Sequence, residues 1–205
     1  NILLARAPRY RIPAELVRDV VLSSSGLLVN TIGGPSVKPY QPAGLWEAAT
    51  SGRGILANYK QDHNESLYRR GMYTFIKRTV PPPTMGIFDA SNRDQCEVKR
   101  LNTNTPLQAL VMMNDPTVLE ASRVLADRLL QENGTAESKI SKAFRKIVCR
   151  KPKDKEIKLL ASYYADQLKV FKQKSNADKV LAVGEYPISA KANKTELAAM
   201  MGVIA

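Results

Sequence analysis

Arginines, carboxamides and two large aromatics recur through the first 114 residues in a pattern that could hold a sugar or an anion. They are Arg18, Asp19, Tyr40, Gln41, Trp46, Arg69, Arg70, Asn92, Arg93, Arg100, Asn102, Asn104, Gln108 and Asn114. An aromatic face beside amides and guanidinium groups makes a platform for such ligands, so a cleft with Trp46 and Tyr40 in its wall would be a binding site. Under that reading Trp46→Ala weakens glycan binding and leaves the fold intact. The favoured reading is internal. Polar groups inside a protein cost free energy unless paired, and these would satisfy loop carbonyls or pair with Glu15, Asp19 and Asp89, fastening irregular segments to helices.

No reaction is spelled out. The one histidine, His63, has no spaced partner for a metal and reads as a surface or loop residue. There is no C-x-x-C-H, so this chain does not itself attach haem. Ser23, Ser24 and Ser25 lack the G-x-S-x-G setting of a hydrolase nucleophile and sit where a helix ends. Gly33-Gly34-Pro35-Ser36 is too short to cradle a phosphate, and its proline removes a donor. Cys96 and Cys149 are too few for a disulfide framework. No residue is assigned a catalytic role.

The formal net charge of +12 invites an anionic partner. Much of the excess lies in residues 139–158, where basic side chains alternate with Ile140, Phe144, Ile147 and Val148 at helical spacing. That is the solvated face of an amphipathic helix rather than a nucleic-acid surface, since no interleaved aromatic or zinc-finger pattern accompanies it. No apolar run approaches the roughly 20 residues that span a bilayer. The chain begins without Met, and an apolar helical pattern still runs through 197–205. The expectation is a piece of a longer protein.

The elements that must position these side chains centre on residues 100–116, where Thr105-Pro106 and Asp115-Pro116 each place a capping side chain before a helix-starting proline. Between them Leu107, Leu110, Val111 and Met113 suit a buried segment. Upstream, residues 12–25 form a helix with Leu16, Val17, Val20 and Val21 on its apolar stripe and Gly26 past its end. Paired glycines and three prolines make 30–46 a shaped loop anchored by Tyr40 and Trp46. A second helix is expected over 64–79, then an extended crossing from Pro81, with Asp89 capping a short turn through Asn92, Arg93 and Cys96. Downstream the pattern is regular: helices over 116–133, with Val118, Ser122, Leu125 and Leu129 inward, then 136–150 and 153–174. A short helix near Val180, an extended arm through Tyr186 and Pro187, and a last helix capped by Thr195 follow. Short loops between helices favour an antiparallel bundle. The expected fold is all-α, one helical domain over 1–205 with a loop-rich half at 1–115 packed on a bundle half at 116–205.

Six motifs in order carry a resemblance: Arg18-Asp19, S-G-L-L at 25–28, G-G-P-S-V-x-P-Y-Q-P at 33–42, Y-R-R-x-x-Y-T-F-x-K-R-T at 68–79, F-D-A at 88–90 and T-N-T-P-L-Q-A-L at 103–110. The series resembles the C-terminal domain of unknown function of planctomycete-type multidomain proteins that carry a c-type cytochrome domain upstream. Met72, Met112 and Met113 stand where leucines are commoner in that family. The resemblance implies export to the periplasm or beyond, a neighbouring domain bearing haem c, and no inherited catalytic residue. The expected function is a non-catalytic accessory or interaction domain that docks the haem domain or a polysaccharide. The alternatives are part of a carbohydrate-active or redox enzyme whose site needs the upstream domain, and, on charge alone, a nucleic-acid-binding domain.

Overall fold

The computed structural model describes residues 2–3, 10–54, 56–91, 93–174 and 176–205. Among them the fold is all-α, with no strand. Proline and cap chemistry start the helices as expected. Pro106 opens α4 (Pro106–Asn114), and Pro116 opens α5 (Pro116–Gln131), where Asp115 Oδ1 accepts the Thr117 N–H at 2.8 Å. Gly26, in the left-handed region at φ 77°, closes α1 (Ala14–Ser25). The last helix begins at Lys194, and its cap is Asn193 rather than Thr195, since the Asn193 side chain accepts the Thr195 and Glu196 N–H groups.

Helix α5 is the spine. Val118, Ser122, Leu125 and Leu129 are buried as the periodicity predicts, together with Ala121, Val124 and Ala126. Ala121 and Val124 pack with Leu22 of α1 and with Leu27, Leu67 and Tyr68. On its other side α5 joins α6 (Ala136–Val148), α7 (Asp154–Lys174), α8 (Ala177–Leu181) and α9 (Lys194–Ile204) around a core that holds Ala126, Ile140, Tyr164, Phe171 and Leu181. Leu197, Ala198, Ala199, Met200 and Met201 of α9 are all buried, which marks a helix enclosed on every side. No helix is long and apolar enough to cross a membrane among the described residues.

The first half departs from expectation in several places. Residues 64–79 form two 3₁₀ turns, Asn64–Tyr68 and Gly71–Tyr73, and then run extended, because their backbone groups bond to other segments instead of along a helix. The Tyr68 and Tyr73 carbonyls accept the N–H groups of Val29 at 3.0 Å and Val37 at 2.8 Å. The Leu67 carbonyl goes to the Arg18 guanidinium, and the Gly71 N–H goes to Asp19 Oδ1 at 2.6 Å. Arg70 Nε donates to the other Asp19 oxygen at 3.1 Å. Arg18 and Asp19 thus clamp the Leu67–Gly71 turn onto α1, which buries Asp19 and leaves Leu16 and Val20 of the expected stripe exposed. Short helices also form where loop or extended chain was expected: α2 (Leu45–Thr50) and α3 (Pro83–Ile87).

In α4 the expected faces are exchanged. Leu107, Leu110 and Met113 are 51%, 56% and 63% exposed, and the buried residue is Gln108. Gln108 Oε1 accepts the Thr105 N–H at 3.2 Å, while its Nε2 donates to the Ile87 carbonyl at 2.8 Å and to Thr103 Oγ1 at 3.2 Å. The Arg11 guanidinium also donates to Oε1. A residue with that many local bonds fixes which face turns inward.

Glu120 joins the halves. Fully buried at 0% exposure, its Oε1 accepts from the Tyr68 hydroxyl at 2.9 Å and from the backbone N–H groups of Glu185 and Tyr186 at 2.6 and 2.7 Å. Arg123, also buried, donates to the Tyr186 carbonyl at 2.6 Å and has a guanidinium nitrogen 3.8 Å from Oε1. Glu120→Ala would leave those three donors and a buried cation unpaired, so a loss of about 3–5 kcal/mol is expected in urea unfolding.

Gly71 lies against α1 so closely that an added Cβ would be 2.4 Å from the Glu15 carbonyl oxygen. Gly71→Ala should cost about 1–3 kcal/mol by overpacking. Gly86→Ala, with nothing within 4 Å, should be neutral or slightly stabilising when measured in the same way.

Candidate functional site

An apolar cleft of about 600 Å³ opens where six segments of the first half, one of them at Thr74, meet the start of α5. Ala14, Val17 and Val21 of α1 form one wall. The loop Pro39-Tyr40-Gln41-Pro42 and Tyr59 form a second, and Pro82 to Thr84 with Met85, Ile87 and Phe88 a third. Leu110, Val111 and Met112 close the side towards α4, and Asn114 to Val118 bring in the N-terminus of α5. The size falls within the roughly 300–1,000 Å³ of small-molecule sites.

Few polar groups enter this lining, and most are committed. Asp115 caps α5 and also accepts from Thr84 Oγ1 at 2.8 Å, tying α3 to the α4–α5 junction. The Tyr59 hydroxyl donates to the Pro39 carbonyl, which holds the proline-stiffened loop in place. The Tyr40 hydroxyl accepts the Glu185 N–H at 3.0 Å. Burial pushes both phenols well above the ordinary tyrosine range, with Glu120 adding to it at Tyr40 and Asp62 at Tyr59. Both therefore stay protonated.

Arg18 is the one cationic side chain in the lining. Its two terminal nitrogens donate to the Leu67 carbonyl and, at 3.3 Å, to Thr117 Oγ1. Burial lowers its pKa, an effect partly offset by Asp115 and Asp19, yet a guanidinium remains charged at any physiological pH. Asp19 is engaged by Arg70 and Gly71. Among the described residues no carboxylate lies within ion-pair distance of Arg18.

Of the residues singled out in the sequence, Arg18, Tyr40, Gln41 and Asn114 come together in this cleft, Asn114 donating its Nδ2 to the Leu110 carbonyl at 2.7 Å. The others do not. Trp46 is 1% exposed, packed edge-on to Tyr59 at 5.0 Å and against Phe75 at 5.8 Å, with the Lys77 ammonium 4.4 Å over its ring. An enclosed indole offers no face to a sugar, so the glycan-platform reading of Trp46 is corrected. Arg69 ties the glycine-proline loop, donating to the carbonyls of Pro35 at 2.8 Å, Thr31 at 3.2 Å and Gly33, and stacks 4.0 Å over Tyr73. Asp19 and Arg70 belong to the α1 clamp, and Gln108 to the inner side of α4. Arg93, Asn102 and Asn104 are exposed, which removes them from the set of internal fasteners. Asn92 lies outside the described residues. Asp89 accepts from Thr103 N–H and Oγ1, both at 2.8 Å, and the turn it was expected to cap runs through Asn92, outside the described residues. Arg100 forms a two-pronged pair with Glu15 at 2.8 and 3.0 Å, which holds that carboxyl below its ordinary range.

Elsewhere, His63 is a surface residue 2.6 Å from Glu185 Oε1. The two cysteines are free and exposed. No group of three His, Cys, Asp or Glu placed to hold a metal occurs among the described residues. Tyr59, Thr84 and Thr117 were not foreseen as lining. Only the Asp-Pro-Thr cap carried a signal, and that signal was for a helix start.

A family model described as "PSD1: Protein of unknown function (DUF1553)" matches residues 1–164. No match was found among curated proteins or among solved structures. Because Trp46 fills a core between Tyr59 and Phe75, Trp46→Ala should lower stability by about 3–5 kcal/mol, read by urea unfolding. An unchanged midpoint would contradict the packing.

Proposed function

Since the chain belongs to the PSD1 family, whose function is unknown, we propose that it is a non-catalytic interaction domain of an exported cytochrome-c-type multidomain protein, docking a neighbouring domain that bears haem c. Such a protein would work in the periplasm or outside the cell. The observation that carries the reading is the outward apolar ridge of α4. Leu107, Leu110 and Met113 recur at three-residue spacing on one side of a helix whose other side is locked by Gln108. Leu101, 73% exposed, precedes them. Contiguous exposed apolar side chains on a rigid helix mark an interaction surface, because water contact costs them free energy that a partner removes. The sequence resemblance supplies the nature of the partner.

The positive charge does not lead to a nucleic-acid reading. Several late basic side chains are paired on the surface, Lys142 with Glu132 at 2.5 Å, Arg150 with Glu156 at 2.6 Å and Lys194 with Asp178 at 2.6 Å.

Amide hydrogen exchange tests the docking. Residues 106–114 should exchange more slowly in a longer protein that includes the haem domain than in this chain, and Leu107→Lys with Met113→Lys should abolish the difference without changing the unfolding midpoint. Equal exchange in the two proteins would remove the proposal.

A further inference from the structure

A guanidinium in an apolar cleft is expensive to keep there uncompensated. Arg18 has neutral partners, a backbone carbonyl and a threonine hydroxyl, and no carboxylate within ion-pair distance among the described residues. Its neighbour Asp19 is spent on Arg70 and Gly71, and Asp115 on Thr117 and Thr84. A charge held in this way pairs strongly with an incoming anion, because the interaction is made where water screens little. Most of the remaining lining is apolar, from Val17 and Val21 on one side to Met85 and Met112 on the other, with Thr74 Oγ1, which has no partner among the described residues, also buried there. The N-terminus of α5 also faces the cleft and adds positive potential, which the Asp115 cap partly cancels. One more donor is at hand: Gln41 Nε2 has no partner within the protein, and a turn of its side chain would bring it to the cleft.

We infer that the cleft binds a small organic carboxylate, its head group against Arg18 and its aliphatic or aromatic body among the side chains of α1, α3 and α4. The site meets the outer ridge of α4 only at Leu110, since Leu107 and Met113 lie outside its lining. Each claim can fail while the other stands.

Octanoate, benzoate and indole-3-acetate serve as probes, with acetate lacking the body and 1-octanol, benzyl alcohol and tryptophol lacking the charge. The readout is the methyl resonances of Met85 and Met112 during titration of the intact chain. At least one acid should shift both methyls saturably, acetate should not, and the matching alcohol should bind about tenfold more weakly, the worth of a charge-assisted contact. Val17→Phe, which fills the cleft from α1, should abolish the shifts. Arg18→Met should bring acid and alcohol to equal affinity. Where Arg18→Met does not fold, because the Leu67 carbonyl loses its donor, Val17→Phe and the acid-to-alcohol ratio decide alone. No shift with any of the three acids, equal binding of acids and alcohols by the unaltered chain, or undiminished binding by Val17→Phe would each overturn the proposal.

Discussion

A carboxylate removed from water must be surrounded by donors, and Glu120 imposes that condition on three separate stretches of chain. Its partners come from the Asn64–Tyr68 turn, from the backbone at Glu185 and Tyr186, and from its own helix through Arg123. Desolvating the pair costs several kcal/mol per ion, recovered through Oε1 alone, since Glu120 Oε2 and Arg123 Nε are buried without a hydrogen-bond partner among the described residues. The consequence is specificity more than stability: the arm through Tyr186 has one place to lie, and the loop-rich half has one register against α5. Gly184 follows from the same constraint. It sits at φ 77° with Glu120 occupying the space a Cβ would need, 2.2 Å from the carboxyl carbon, so glycine alone lets the backbone approach.

Arg18 and Asp19 act in the same way one layer out, and they explain where reading the sequence succeeds and fails. Helix starts were legible at Pro106 and Pro116 because capping and the missing proline N–H are local chemistry. The stripe of α5 was legible because both sides of that helix meet apolar neighbours. Residues 64–79 look helical by periodicity, yet Asp19 and Arg18 claim the very backbone groups a helix would use there, and Gly71 must touch the Glu15 carbonyl. Such competition is set by residues some fifty positions away, so a local pattern cannot register it.

The site was legible in part for a related reason. Arg18, Tyr40 and Gln41 were conspicuous as polar groups among apolar neighbours, and they do converge. Trp46 was conspicuous too, but an aromatic with amides nearby has the same sequence appearance whether it walls a cleft or fills a core. Only the positions of Tyr59 and Phe75 decide that it fills one. The internal-fastener reading describes Arg69, Arg70 and Gln108 well and does not describe Asn102 or Asn104, which lie in solvent.

The exchange of faces in α4 ties these threads together. A nine-residue helix with five leucine, valine or methionine side chains would gain most by turning them inward, at about 25 cal/mol for each Å² removed from water. It turns Gln108 inward instead, because that single carboxamide satisfies the helix start, the Ile87 carbonyl and Thr103 together, whereas exposing Gln108 would leave the Ile87 carbonyl without its side-chain donor. The local polar network therefore outweighs the apolar gain, and it does so at a ridge that adjoins the cleft through Leu110. A fold that leaves leucines in water while burying an amide next to them has its apolar surface directed outward by its own bonding, and a surface so directed is available to whatever the rest of the protein brings against it.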